Sequence, residues 1–339
     1  MNHRGAASVR SVFVLACCSL AACGSGPVGT GSSGAAAIYA VVPSRISDAD
    51  YRLKMTTCHV EMDVNPAIGA RVSALRIGGT DVIKPYGCAT GAYDGTAACN
   101  NSGSTFWTSP QNAWPSGSWP PVTSVDGAAY TPSISGAHLV LRGSENAALG
   151  ASVDKDFSAD DKTCSIALRY TIKASKPIAA APWEITRVPR GGIAFFPEGE
   201  RARLAAGPLS PYTTTTTTTT LSVIWVNDST KAAPVPAGGA KLIADGAGGW
   251  LAYALHDVLF IKRFVDVPAA SFAPKEGDIE IYPGSDYLEL EVQGAYTQLN
   301  GGDSIPWTVQ WRAVAIPSTV SVTAGSATLL AFAQQQAGM

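Results

Sequence analysis

The sequence predicts an all-β protein of sheets packed on sheets, and three observations carry that reading. Glycine (34) and proline (22) are frequent in a chain of 339 residues, which suits many turns. Short runs rich in Val, Ile, Thr and aromatic residues recur between clusters of Gly, Pro, Asn and Asp. Few segments carry the period of an amphipathic helix. In chain order the strand candidates are Leu53–Val64, Ala70–Ile77, Leu139–Arg142, Ser165–Ile172, Leu221–Asn227, Trp250–Ala254, Val258–Asp266, Ile279–Pro283, Tyr287–Gln293 and Trp307–Ala315. Strands with one apolar face must bury it, so the sheets they form are expected to stack. The run Thr213–Thr220 is β-branched throughout and favours extended chain, as an edge strand or a loop. Residues 231–240, rich in Pro, Ala and Gly, read as a loop.

The N-terminus reads as a targeting segment. Arg4 and Arg10 form a basic region, and Ser11 to Ala22 is apolar but too short to span a bilayer as a helix. It ends in Leu20-Ala21-Ala22-Cys23-Gly24, which resembles a bacterial lipobox. That resemblance implies lipidation of Cys23 and a lipid-anchored protein of the bacterial cell envelope, on the outer membrane facing the periplasm. Residues 1–23 are then the signal peptide, 24–37 a Gly/Ser/Ala-rich tether and 38–339 a single folded domain.

Export implies an oxidising compartment. Beyond Cys17, Cys18 and Cys23, four cysteines remain: Cys58, Cys88, Cys99 and Cys164. A local Cys88–Cys99 bridge around a Gly/Ala/Asn loop is the first expectation. Cys58–Cys164 would then join two strand-like runs. No Cys-x-x-Cys spacing suggests zinc, so neither a metal nor a cofactor is expected. A net charge of −2 offers no electrostatic case for nucleic acid.

The segment with most chemical content is Tyr287-Leu-Glu-Leu-Glu-Val-Gln293. In a strand, Glu289, Glu291 and Gln293 share one face, opposite Leu288, Leu290 and Val292. The two carboxylates then stand ~7 Å apart, and mutual repulsion tends to hold one proton near neutral pH. A solvated strand face would show the same pattern. Of the histidines His59, His138 and His256, the last could serve as an acid, although a turn or core role suits it better. No Gly-x-Ser-x-Gly elbow marks a serine nucleophile.

Several segments line up, in order, with a known superfamily. Glu61–Ile83 resembles the opening hairpin of galactose mutarotase-like (aldose 1-epimerase) proteins. Leu288-Glu-Leu-Glu-Val-Gln293 resembles their late strand, and Asn300–Trp311 their closing hairpin. Gly103-Ser-Thr-Phe-Trp-Thr-Ser-Pro-Gln111, Trp183-Glu-Ile-Thr-Arg-Val188 with Gly191, Gly192, Phe196 and Pro197, and Ile261-Lys-Arg-Phe264 look like the DUF4380 group of exported bacterial proteins. The resemblance covers roughly residues 50 to 315. It implies a large antiparallel β-sandwich whose concave sheet holds a sugar.

By the same resemblance Glu291 stands where the superfamily carries its catalytic base. The position of its acid His falls near Trp183 or Glu184. Its Asn-Arg pair compares with Pro110-Gln111-Asn112-Ala113, which has no Arg. Ring opening of an aldose needs both a base and an acid. The expectation is therefore a carbohydrate-binding protein, for a mono- or oligosaccharide, without ordinary mutarotase activity. The alternatives are an aldose 1-epimerase-type isomerase with Glu291 as base and a non-catalytic envelope scaffold. The expected site comprises Glu291 and Glu184 for catalysis, with Trp107, Trp183, Arg187, Lys262, Glu289 and Gln293 for binding. Trp107 could stack on a pyranose face, Lys262 could offset the Glu289 and Glu291 charges, and Glu184 and Arg187 could instead pair at the surface. Trp114 and Trp119 could line the rim, though packing of their own loop is the plainer role.

Overall fold

Alternating residue patterns along the chain resolve into two antiparallel sheets. The structure, a computed structural model, describes residues 39–87, 101–199, 207–229 and 241–338. Cys23, Cys88 and Cys99 lie outside the described residues, as do the signal peptide and tether. The first strands, β1 (Ser44–Arg45), β2 (Tyr51–Met55), β3 (Val60–Asn65), β4 (Arg71–Ile77), β5 (Thr80–Asp81) and β6 (Ser104–Ser109), build sheet one. A short helix, α1 (Thr123–Asp126), leads to β7 (Thr131–Ser135), β8 (His138–Arg142), β9 (Ala151–Asp160) and β10 (Ser165–Ala174) in sheet two. The chain returns to sheet one as β11 (Ile178–Pro189). It then places β12 (Ile193–Pro197), β13 (Thr213–Thr217) and β14 (Ser222–Asn227) in sheet two. Next come β15 (Leu242–Ala244) in sheet one and β16 (Trp250–Leu255) and β17 (Val258–Arg263) in sheet two. Finally β18 (Ile279–Pro283), β19 (Tyr287–Gln293) and β20 (Thr297–Leu299) join sheet one, β21 (Ser304–Ala315) joins sheet two, and α2 (Ala327–Ala337) follows.

Among the described residues sheet one runs β1-β2-β3-β4-β6-β11-β19-β18-β15, with β5 on β4 and β20 on β11. Sheet two runs β13-β14-β12-β16-β17-β21-β10-β9-β8-β7. The fold is thus the expected all-β antiparallel sandwich. The threonine run contributes β13, at the edge of sheet two.

The inner faces of both sheets make the main core, which contains Leu288, Leu290 and Val292 of β19 with Phe260, Val309 and Trp311 of sheet two. A second core lies on the outer face of sheet two, where Phe195, Trp225 and Trp250 pack under α2. The sequence leads to no expected strand or helix after Ala315. Leu329, Ala333 and Ala337 recur every fourth residue and bury one face. The Ser326 hydroxyl caps its first turn by accepting from the Leu329 N–H, and Gly338, at φ 76°, ends it in the left-handed conformation.

Cys58 and Cys164 form a disulfide. Both lie in hairpin turns, β2–β3 and β9–β10, so the bridge joins a turn of sheet one to a turn of sheet two rather than two strands. It links residues 106 apart, a span at which loop closure in the unfolded chain favours folding by about 5 kcal/mol. Hydrogen bonds from the Thr56 hydroxyl and the Thr57 N–H to the Asp161 carboxylate reinforce the same junction.

Candidate functional site

The site is built where β6, β11, β19 and β18 lie side by side in sheet one. Register places Trp183 beside Trp107 and Gln293, Ile185 beside Thr105 and Glu291, and Arg187 beside Glu289. Glu280 stands beside Glu291, and Tyr282 beside Glu289. All these side chains share the outer face of the sheet, because paired residues point the same way and alternate along each strand. Gly103 immediately precedes β6, at φ +61°. A Cβ there would lie 2.2 Å from the Val72 carbonyl oxygen, so glycine allows β6 to lie against β4.

The polar groups of this face are tightly paired. Lys241, just before β15, donates to Glu280 Oε2 at 2.7 Å and to Glu291 Oε2 at 2.8 Å. Trp183 Nε1 donates to the same Glu291 oxygen at 2.8 Å. Glu280 Oε1 accepts from Gln293 Nε2 at 2.8 Å and from the Gly277 N–H at 3.2 Å. Arg187 donates through Nε to Glu289 at 2.9 Å and through a terminal nitrogen to the Thr105 hydroxyl at 2.9 Å. Glu291 Oε1, Gln293 Oε1 and the second terminal nitrogen of Arg187 are buried with no partner among the described residues.

Two carboxyls thus share one ammonium. Burial pushes Glu280 and Glu291 up to about 7 each, against the pull of Lys241. Burial alone would lower Lys241, but Glu280 and Glu291 outweigh it and hold the ammonium above the usual lysine range. Glu280 has three donors on its two oxygens, whereas Glu291 has donors only on Oε2. The bare oxygen of Glu291 is therefore the better place for a retained proton.

Three tryptophans flank this network. Trp107 meets Trp183 edge-on with centroids 5.3 Å apart, and Trp114 edge-on at 5.5 Å. Trp107 Nε1 donates to Asp126, which also takes both carboxylate bonds from Arg71. Arg187 lies 5.2 Å from the Trp107 ring centroid and Lys241 4.8 Å from that of Trp183. Above them opens a cleft lined by Asn101, Trp107, Gln111, Trp119, Trp183, Lys241, Tyr282, Tyr287 and Glu289. Its volume is about 400 Å³, which is ligand-sized.

The expected site residues divide between the two faces of sheet one. Trp107, Trp183 and Glu289 line the cleft. Glu291, Gln293 and Arg187 lie on the same outer face but are buried beneath it. Glu184 is corrected: β11 alternates, so its carboxylate points into the sandwich, away from Glu291. There it accepts from the Ser104 and Thr186 hydroxyls and pairs with Lys262 at 2.7 Å, both side chains fully buried. Lys262 is corrected with it: its charge offsets Glu184, not Glu289 or Glu291, and it also donates to the Leu290 carbonyl at 2.6 Å. The surface pairing of Glu184 with Arg187 does not form, since the two face opposite ways. Trp114 packs under the cleft, and His256 sits in the turn between β16 and β17 beside Tyr253 and Val258, in a separate small cavity.

Lys241, Glu280, Tyr282 and Tyr287 went unread. Ile279-Glu-Ile-Tyr282 carries the same alternation as β19 and could have marked Glu280 and Tyr282. Lys241 follows the Pro-, Ala- and Gly-rich stretch 231–240 and has no local sequence pattern to mark it. Among the described residues no group of three or more His, Cys, Asp or Glu side chains is placed to hold a metal ion.

Comparison with known proteins adds the following. The DUF4380 family, a domain of unknown function, matches residues 51–314. No curated protein matches the chain. The Slr1438 protein of Synechocystis sp. PCC 6803 is similar at 12% identity with a TM-score of 0.52, over 80% of this chain and 97% of that one. A TPR-domain containing protein of Parabacteroides distasonis ATCC 8503 is similar at 12% identity and a TM-score of 0.52, over 81% of this chain and 49% of that one. A putative aldose 1-epimerase of Escherichia coli K12 is similar at 11% identity and a TM-score of 0.48, over 76% of this chain and 97% of that one. The likeness to the first two, at such identities, is a likeness of fold alone.

Proposed function

This chain belongs to the DUF4380 family, and from that premise and the geometry of the cleft we propose that it binds a carbohydrate on the outer face of sheet one. The observation that carries the proposal is the lining: tryptophan and tyrosine rings beside an ammonium and a carboxylate, all in one ligand-sized cleft. Pyranose rings present apolar C–H faces that pack on aromatic rings, and hydroxyls that pair with charged groups. Lys241 and Glu289 each have an ion-pair partner, so neither offers an uncompensated charge and an uncharged ring suits the cleft. Glu291 lies fully buried under Trp183 and Lys241. A general base must reach the proton that it removes, so binding without turnover is the reading favoured over catalysis.

Calorimetry of the purified protein against galactose, glucose, N-acetylglucosamine and their oligomers tests this. Binding by the wild type, weakened at least tenfold in Tyr282→Ala, is the expected result. A folded protein that binds none of these sugars would sink the carbohydrate reading.

The second part of the proposal is location. The lipobox-like Leu20-Ala21-Ala22-Cys23 and the polar tether after it support a lipid anchor at Cys23, which would hold the cleft at the periplasmic face of a membrane.

A further inference from the structure

Seven of the eight tryptophans are buried, while Trp119 is 42% exposed. It stands on the lining of the cleft, outside the packed group of Trp107, Trp114 and Trp183. An exposed tryptophan leaves a large apolar surface in water, which favours contact with something.

The loop that carries Trp119 is anchored at both ends. On one side Trp114 Nε1 donates to the Thr108 carbonyl at 2.6 Å, and the Trp114 ring packs on Trp107 and Trp183. The Gly117 N–H returns to the Trp114 carbonyl at 2.8 Å. On the other side Val122 leads into α1, where the Val125 and Asp126 N–H groups donate to the Val122 carbonyl. Asp126 is then fixed by Arg71 and Trp107. Pro115, Pro120 and Pro121 restrict the backbone in between. A loop backbone restricted this way loses little freedom when a ligand stacks on the ring that it presents.

We propose that Trp119 is the platform of an outer subsite, so that the cleft takes an oligosaccharide of at least two pyranose rings rather than a single sugar. The inference rests on the carbohydrate reading above and extends it. The first ring lies against the half-buried Tyr282, over the packed Trp183 and Tyr287. A second, linked ring stacks on Trp119 at the rim. The ligand gains apolar contact there without any new charge.

The test is calorimetry along four series: glucose to cellotetraose, glucose to maltotetraose, galactose to β-1,4-galactotetraose, and N-acetylglucosamine to chitotetraose. In the wild type one series is expected to gain at least tenfold in affinity from monosaccharide to tetrasaccharide. Trp119→Ala is expected to reduce that ratio to near one, and Trp119→Phe to restore most of it. A wild-type ratio near one in every series that binds overturns the outer subsite. So does a ratio that survives in Trp119→Ala. No binding in any series overturns the carbohydrate reading itself, which is a different result.

Discussion

Glu291 shows how one residue's chemistry depends on neighbours distant in sequence. Its partners are Lys241 and Trp183, and its cross-strand neighbour is Glu280. Burial raises both carboxyls from an ordinary 4.5 to about 7 in the folded chain, so the pair retains a proton near neutral pH. An acid with a raised folded pKa lends stability that is complete below its unfolded pKa and is lost as pH rises through the folded one. For Glu280 and Glu291 that window runs from about 4.5 to about 7. Glu291→Gln removes one of the pair and leaves Lys241 to Glu280 alone. Stability of the variant relative to the wild type is therefore expected to improve by roughly 1 kcal/mol or more between pH 5 and pH 8. Urea denaturation of both proteins at the two pH values checks this. A difference that does not change with pH would show that the pair holds no extra proton.

At the scale of the element, β11 carries two polar systems back to back. Its outer face sets Trp183 and Arg187 under the cleft, and its inner face sets Glu184 against Lys262 of β17. The inner pair ties sheet one to sheet two through the core. Burial lowers the Lys262 pKa and Glu184 opposes that fall. Removing one member of a buried pair strands the other charge, which costs about 3–5 kcal/mol. Lys262→Met is expected to lose about that much in urea denaturation. Lys262→Met with Glu184→Gln should recover a large part, since the glutamine keeps bonds to Ser104 and Thr186. Equal losses in the single and double variants would mean that the pair contributes by packing alone.

At the scale of the whole molecule, Cys58–Cys164 ties the two sheets of the described sandwich together. The first described residues pair there too: Ala40 bridges Asp160, and the Val41 N–H donates to the Ala159 carbonyl. The proposed anchor at Cys23 is tested at the scale of the whole cell. Expressed in a Gram-negative host, the wild type is expected in the membrane pellet, and Cys23→Ala in the soluble fraction. A Cys23→Ala protein that stays with the membranes would remove the lipid anchor from the proposal.

Much of the architecture was legible in the chain because it is written locally. Alternation marked β19 and placed Glu289, Glu291 and Gln293 on one face, and turn residues marked the strands of both sheets. The DUF4380 segments were legible in the same way, as short runs in order. Period-two patterning tells which residues of one strand face together, but not which face of one strand joins which face of the next. Trp183-Glu184 illustrates that limit: the two adjacent residues belong to opposite sides of the sheet, one under the cleft and one in the core. The small-residue helix α2 went unread because Ala-rich turns carry little amphipathic contrast until a sheet covers them. The sequence by itself determined an all-β sandwich and the strand that bears the carboxylates. Only the tertiary structure decided that Lys241 and Glu280 complete their network and that Lys262 does not. Register between distant strands is set by the packing of whole sheets, and no local run of residues records it.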